Sequence, residues 1–449
     1  MGYKNKIRHL SSFQIIIFGF AIVILVGTLL LMLPFASKAN EVTSLLDALF
    51  TATSSVCVTG LVVYDTATHW SVFGKAIILL LIQIGGMGVV TIAVSAAIIS
   101  GKKIGLMQRS TLQEAISAPN VGGIVRLTNF IIRATILIEL LGAAIMMPVF
   151  CQEFGIGKGI GYAFFHSISA FCNAGFDLMG EKGQFSSLTS YASQPVINVT
   201  VMALIIIGGI GFLTWEDIKT NRWHFHKYRM QSKVVLVVSG VLILLPAVYF
   251  YFFEFQNEAW QGYSIPQKIL CSLFQAVTPR TAGFNTVDLA QFQESGQMIV
   301  IILMLIGGSP GSTAGGMKTT TVAVLFASAI AVFWRRESAS LFGRRIPENT
   351  VKHAATILVL YLFLFLSGSI TISIAEQLPM LTSMFEAASA IGTVGLTLGI
   401  TPGLGMISKI ILIILMFFGR VGGLTLIFAA FFGTRKNVSR LPQEKITVG

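Results

Sequence analysis

With 449 residues, 54% hydrophobic side chains, 44 glycines and only 11% charged residues, the chain is too apolar to be covered by polar surface, since soluble domains carry about 25% charge. That excludes a string of soluble globular domains and makes lipid the solvent for much of the sequence. The net charge of +12 leaves nucleic acid, anionic lipid and membrane orientation open, and only the placement of the charges separates them.

A helix crossing about 30 Å of hydrocarbon needs about 20 apolar residues. In chain order such runs cover approximately 13–33, 71–99, 127–150, 194–214, 233–253, 296–333, 353–375 and 407–432. The first follows MGYKNKIRHL, is too long for a signal-peptide core and has no clean small-residue cleavage site after it, so it reads as a retained membrane helix. Between alternate pairs lie shorter, mixed segments, 45–61, 162–176, 268–284 and 380–396, each closing on glycine. None is long enough to span as a helix; a re-entrant helix followed by an extended loop fits their length.

These segments are copies of one another. Phe50–Gly60 reads FTATSSVCVTG, Phe165–Gly175 reads FHSISAFCNAG, Phe274–Gly283 reads FQAVTPRTAG and Phe385–Gly395 reads FEAASAIGTVG. A Ser or Thr follows four residues after each Phe, at Ser54, Ser169, Thr278 and Ser389, and the terminal glycines lie 115, 108 and 112 residues apart. A second marker recurs in each following helix: IGGMG from Ile84, IGGIG from Ile207, IGGSP from Ile306 and FGRVG from Phe418. Two markers in the same order, four times each, indicate repeated structural units. The expected fold is an all-α polytopic membrane protein with eight transmembrane helices and four re-entrant pore helices in fourfold pseudo-symmetric helix–pore–helix repeats. The repeats cover 1–100, 101–220, 221–340 and 341–435, with a cytoplasmic tail at 436–449.

With both termini cytoplasmic, the inner segments hold 21 basic residues against six acidic, and the outer segments seven basic against twelve acidic. Lys4, Lys6, Arg8, Lys102, Lys103, Arg435 and Lys436 are among the inner cations. The positive-inside rule counts Lys and Arg, so this asymmetry sets the orientation and accounts for the +12 without nucleic acid. The run WHFHKYR (223–229) interleaves aromatics with cations in an inner loop and reads as a lipid-headgroup or partner contact.

Four loops of one shape around one axis can form a ring of backbone carbonyls that replaces the water shell of a monovalent cation. The candidate ion-binding residues are Val58, Thr59 and Gly60; Asn173, Ala174 and Gly175; Thr281, Ala282 and Gly283; and Thr393, Val394 and Gly395. Each preceding helix would aim its partially negative C-terminus at the ion path and favour cations without a carboxylate. In the third repeat an otherwise apolar helix is interrupted by GGSPGSTAGG, Gly307, Gly308, Ser309, Pro310, Gly311, Ser312, Thr313, Ala314, Gly315 and Gly316, followed by Met317 and Lys318. Unwound backbone at membrane depth is tolerated inside protein or beside water, so beneath a pore this segment reads as a flexible gate. It is not a Walker A loop, because Met317 separates glycine from lysine and no buried strand precedes it.

Arg420 stands where the other repeats carry Gly86, Gly209 and Gly308. A charge at that depth costs about 2.5–3.5 kcal/mol on insertion scales and needs water or a partner. A pore-wall charge that slows ions or pins the gate loop, and an ion pair with Glu139, both satisfy it. Arg280 reads as a scaffold whose fork bonds loop carbonyls. The four cysteines, Cys57, Cys151, Cys172 and Cys271, have no metal or disulfide spacing and read as buried free thiols. No catalytic constellation is evident, so the chain reads as no enzyme and needs no cofactor.

Taken together, the four repeats, the single filter glycine in each, the break in repeat three and the arginine in repeat four resemble the Trk/Ktr/HKT superfamily of potassium transporters across about 13–432. The chain starts at the first helix of repeat one without the extra N-terminal pair of Trk-type subunits, and so is most similar to the KtrB-type membrane subunits of bacterial Ktr systems. Gly60, in place of the serine that accompanies sodium selectivity in the plant branch, implies potassium as the transported ion. The resemblance also implies a homodimer with one pore per protomer in the bacterial cell membrane. It implies a cytoplasmic KtrA-type RCK ring binding ATP or ADP, and sodium as an activator. Two other classes stay open at this point: the ion-conducting subunit of an ATP-driven potassium pump, and a twelve-span secondary transporter with inverted repeats, which the 21:7 split opposes.

Overall fold

The computed structural model describes residues 11–100, 104–118 and 122–423, together with 425 and 444. The inner cations Lys4, Lys6, Arg8, Lys102, Lys103, Arg435 and Lys436, most of the run expected at 424–432 and nearly all of the expected tail lie outside the described residues.

The first quarter contains α1 (Ser12–Leu31), α2 (Leu45–Val56), the single turn α3 (Thr66–His69), α4 (Val72–Met87) and α5 (Val89–Ile99). The second contains α6 (Leu106–Ala115), α7 (Ile124–Phe154), α8 (Ile156–Phe171), α9 (Pro195–Gly209) and α10 (Phe212–Asn221). Then follow α11 (Met230–Tyr249), α12 (Ile265–Val277), α13 (Glu294–Leu305) and α14 (Thr319–Phe333). A small antiparallel hairpin, β1 (Ser340–Leu341) with β2 (Arg344–Arg345), leads to α15 (Glu348–Glu376), α16 (Met380–Gly392) and α17 (Met406–Val421).

Polar residues mark where helices start. Ser11 and Gln14 form a reciprocal capping box at α1, Ser44 and Ser71 cap α2 and α4, and proline opens α9, each satisfying or removing an otherwise unpaired N–H. Four helical stretches among the described residues are long and apolar enough to cross a membrane: Ser12–Leu31, Ile124–Phe154, Met230–Glu254 and Glu348–Glu376. Along α1, Phe18, Ile22, Leu25 and Leu29 point outward while Ile16, Phe20 and Ile24 are buried. Both faces are apolar, as expected of a helix between protein and lipid.

The structure corrects the expected continuous runs. Residues 71–99 and 194–214 do not form straight helices: α4 and α5 meet at 93° and α9 and α10 at 97°. The break falls on the last glycine of each second marker, Gly88 (φ 86°) and Gly211 (φ 89°), and Gly422 has the same backbone (φ 89°). Counting each bent pair as one span raises the number of candidate spans to six. Run 296–333 is likewise two helices, separated by the glycine-rich segment. The short segments are helical as expected, but the second is longer, 16 residues beginning directly after Gly155. The helices α2, α12 and α16 have 12, 13 and 13 residues; at about 1.5 Å per residue each extends only about 18–20 Å.

The core gathers around the C-terminal ends of these short helices. Each marker phenylalanine, Phe50, Phe165, Phe274 and Phe385, is buried. The first glycine of the second marker explains how the longer helices come so close. A Cβ at Gly85, Gly208 or Gly419 would lie 1.9, 2.1 and 2.1 Å from the carbonyl oxygens of Val56, Phe171 and Ile391, at the end of the short helix in the same quarter. Any side chain there would drive the two helices apart. All four cysteines are free; Cys57, Cys172 and Cys271 are buried, whereas Cys151 is partly exposed.

Candidate ion-permeation site

The four loops adopt one backbone pattern. Val58, Asn173, Thr281 and Thr393 have φ of 57°, 58°, 67° and 50°, and Gly60, Gly175, Gly283 and Gly395 have φ of 91°, 69°, 83° and 94°. Thr59, Ala174, Ala282 and Val394 between them stay at negative φ. Alternating the sign of φ turns successive carbonyls to the same side of an extended segment, where a regular strand would alternate them. Left-handed backbone at β-branched Val58, Thr281 and Thr393 is costly and persists only where surrounding structure enforces it.

The glycines form a closed ring. A Cβ on Gly60 would lie 2.5 Å from the Ala174 carbonyl oxygen, one on Gly175 2.7 Å from that of Ala282, one on Gly283 2.3 Å from that of Val394, and one on Gly395 2.2 Å from that of Thr59. Each loop therefore abuts the carbonyl before the next loop's glycine, in the order one, two, three, four, one. With backbone oxygens this closely apposed, a side chain at any of the four positions must displace the neighbouring loop.

Hydrogen bonds hold each loop to its own helix. Thr59, Ala174 and Val394 each donate their N–H to the carbonyl of Ser54, Ser169 and Ser389 at 2.8 Å, and Ala282 donates to that of Thr278 at 3.0 Å. The third bond spans one residue fewer, which accommodates the shorter third segment. The side chains at these positions work in two ways. Ser54 and Ser389 accept the N–H of Gly60 (3.1 Å) and Gly395 (3.0 Å). Ser169 and Thr278 donate to the carbonyls of Phe176 (2.7 Å) and Phe284 (2.5 Å), one residue past the glycine. The Asn173 amide also crosses to the third loop, donating to the Arg280 carbonyl and the Thr281 hydroxyl, both at 3.3 Å.

The segment 306–318 lies against the underside of this ring. Its ends are pinned by a parallel bridge between Ile306 and Met317. Its middle docks on the bend between α9 and α10: Ser309 donates to Gly209 O (3.0 Å), Phe212 to Gly311 O (2.7 Å), and Thr313 to Gly208 O (3.3 Å). The Thr313 hydroxyl lies 3.1 Å from Phe171 O and 3.3 Å from Asn173 Oδ1. A Cβ at Gly315 would strike the Thr393 hydroxyl at 2.1 Å, so this segment touches residues of the second and fourth loops.

Arg420 clamps the segment. One terminal nitrogen of its guanidinium donates to Thr313 O; the other donates to Gly85 O and, at 3.1 Å, to Gly86 O. The partners are carbonyls of the third-quarter loop and of the C-terminal end of α4. Glu139 instead accepts from Gln83 Nε2 at 3.4 Å, so among the described residues the contacts favour the loop-pinning alternative over the Arg420–Glu139 pair. Lys318 donates to Ala314 O (2.9 Å) and Gly315 O (3.2 Å), closing the same loop. Arg280 does not bond loop carbonyls with its fork; it reaches back to the Ser239 hydroxyl of α11 at 2.8 Å.

Cavities open on both sides of the ring. One, of about 170 Å³, is lined by all four loop glycines together with Asp65, Asp177 and Asp288. The other, of about 280 Å³, lies on the far side of the glycine-rich segment and is lined by Glu114, Gly311, Gly316, Lys318 and Arg420, among others. Sequence reasoning singled out the glycines, the segment and Arg420, which the structure brings together. It named Val58, Asn173, Thr281 and Thr393 without their left-handed backbone, and it missed the three mouth aspartates, whose only sequence signal is that each lies five residues or fewer beyond a filter glycine.

The chain matches the TrkH family, described as "Cation transport protein", over residues 3–438. It is 39% identical to the potassium/sodium uptake protein NtpJ of Enterococcus hirae, over 99% of both chains. It is also 39% identical to the Ktr system potassium uptake protein B of Bacillus subtilis, again over 99% of both. The crystal structure of the potassium transporter TrkH from Vibrio parahaemolyticus superposes with a TM-score of 0.75 at 20% identity, covering 97% of this chain and 87% of that one, a likeness of fold.

Proposed function

Since this chain belongs to the TrkH family of cation transport proteins, we propose that it is the ion-translocating membrane subunit of a potassium-uptake system of the Ktr type. The observation that carries this reading is the closed ring of four glycine loops, each abutting the carbonyl before the next glycine. Potassium sheds water at the carbonyls around Val58–Gly60, Asn173–Gly175, Thr281–Gly283 and Thr393–Gly395. The C-termini of α2, α8, α12 and α16 each add a partial negative charge of up to about half an electron beside the path. Asp65, Asp177 and Asp288 concentrate cations at the outer mouth.

Below the ring the ion meets residues 307–316, held shut by Lys318 and Arg420. Release of the Arg420 bonds and displacement of this segment joins the two cavities. A single glycine in each loop provides fewer tightly formed ion sites than a multi-residue carbonyl ladder, which implies weaker exclusion of sodium. In this reading the six candidate spans become eight with α13–α14 and α17, and the four short helices are re-entrant. Both termini face the cytoplasm, two copies pair, and a nucleotide-binding KtrA-type RCK ring on the basic inner face moves the gate. Sodium acts on this system as an activator.

The test is potassium uptake by a potassium-uptake-deficient bacterial strain expressing the chain, with and without a co-expressed RCK subunit. Growth at low potassium that requires the chain and is increased by the RCK subunit is the expected result. Uptake that instead requires stoichiometric ATP hydrolysis by a partner ATPase contradicts it.

A further inference from the structure

The short helices carry a second recurring polar position. The residue after each marker phenylalanine is Thr51, His166, Gln275 or Glu386, three places before Ser54, Ser169, Thr278 and Ser389 and therefore on the same helix face. All four are buried. Three of them reach the chain just beyond their own filter glycine. Leu178 N–H donates to His166 Nε2 at 3.3 Å, and Gln275 Nε2 donates to the Thr286 hydroxyl at 3.4 Å. Glu386 accepts from two hydroxyls, those of Thr397 (2.8 Å) and Thr401. Thr51 bonds its own helix, at Asp47 O; there the outgoing chain is held one turn earlier, by Tyr64 donating to Asp47 Oδ2 at 3.0 Å.

The fourth position thus differs in kind. Glu386 is the one carboxyl group of the four, it is fully buried, and it accepts two hydroxyl hydrogen bonds from the outgoing chain where His166 and Gln275 each make one. Its partner Thr397 also accepts the N–H of Gly399 at 3.1 Å and lines the outer mouth with Leu396, Leu398 and Pro402. Two residues, at most about 7 Å of chain, separate Thr397 from Gly395.

We propose that Glu386 is a specificity-determining positioning residue: its carboxylate fixes the outer end of the fourth loop and thereby sets the preference for potassium over sodium. The proposal rests on the four-loop filter reading. A carbonyl ring rejects the smaller sodium ion only if its loops cannot close in or change how many oxygens they present. A carboxylate tied to two threonines removes that freedom at the loop whose glycine abuts the Thr59 carbonyl.

The test is competitive potassium and sodium flux through purified full-length protein in proteoliposomes, for the unmodified chain, Glu386→Gln, Thr397→Val, Thr397→Ser and Gly60→Ser. Glu386→Gln keeps the shape and one acceptor oxygen and is expected to cut the potassium preference about tenfold, the equivalent of one hydrogen bond. Thr397→Val should do the same, and Thr397→Ser, which keeps the hydroxyl, should restore the preference. The double variant Glu386→Gln with Thr397→Val should lose little more than either alone. An unchanged preference in Glu386→Gln while Gly60→Ser loses it overturns the proposal and leaves the filter standing. An unchanged preference in both overturns the filter reading beneath it. Should Glu386→Gln fail to assemble, an unchanged preference in Thr397→Val has the same meaning.

Discussion

Replacing Arg420 by glutamine removes the fork that joins Thr313 of the glycine-rich segment to Gly85 and Gly86 at the end of α4. Hydrogen bonds from a charged donor contribute about 1.5–3 kcal/mol each, and water recovers part of that when the segment moves. Losing the equivalent of one to two such bonds weakens the closed arrangement by about 2–4 kcal/mol, which changes the open-to-closed ratio about 30- to 900-fold. The assay is potassium flux from proteoliposomes holding the purified chain without any regulatory subunit. Arg420→Gln should raise basal flux sharply. Arg420→Lys separates pinning from simple repulsion of ions: it keeps the charge but not the planar fork, so it should also raise flux if the bonds hold the gate and should not if the charge alone obstructs the pore. A folded Arg420→Gln variant with unaltered or reduced flux refutes the clamp.

Three further outcomes follow from the same geometry. Ser389→Ala leaves the buried Gly395 N–H without its acceptor, at a cost of about 1–3 kcal/mol; selectivity measured by competitive flux should fall, while Ser389→Thr should preserve it. Lys409 bonds Asp47 at 2.8 Å, with both side chains largely buried where α17 meets the start of α2. Lys409→Met strands that carboxylate and should lower the thermal midpoint of the detergent-solubilised protein by the equivalent of about 3–5 kcal/mol, with Asp47→Asn restoring part of the loss. At the outer mouth, burial pushes the Asp177 carboxyl up to about 7; a bond from the Met179 N–H offsets part of this and Asp65 adds to it. Because a raised carboxyl is charged only above its pKa, the mouth loses a negative charge as the pH falls through about 7. The KM for potassium should therefore rise between pH 8 and pH 6, and Asp177→Asn should give a high KM that no longer varies over that window.

The glycines that must be glycine were the most legible part of this molecule. Gly60, Gly175, Gly283 and Gly395 stand at one place in four copies of a motif, and each is where a backbone oxygen leaves no room for a Cβ. The left-handed residues two places earlier left no such trace, because valine, asparagine and threonine reach that backbone only when tertiary contacts force them. The right-angle bends at Gly88 and Gly211 were hidden for another reason: the apolar run continues across them, and a hydropathy pattern does not register direction. The break in the third quarter was visible because proline and five glycines interrupt it. Arg420 stood out as a charge at membrane depth, but its partners are carbonyls, which every residue has, so sequence could not choose between the loop and Glu139. For Arg280 the same blindness gave the wrong partner, a loop carbonyl in place of Ser239. Glu386 was in plain view inside the fourth motif and passed over, since its role depends on Thr397 and Thr401 folding back onto it.

The central claim is that the four-glycine ring selects the ion, and the most direct measurement is the potassium-to-sodium flux ratio of Gly60→Ser against the unmodified chain in proteoliposomes. A serine there must adopt φ near 91° and place its Cβ about 2.5 Å from the Ala174 carbonyl oxygen, displacing one side of the ring. The account predicts a protein that assembles normally and has lost most of its preference for potassium. An assembled Gly60→Ser protein with the original ratio contradicts it.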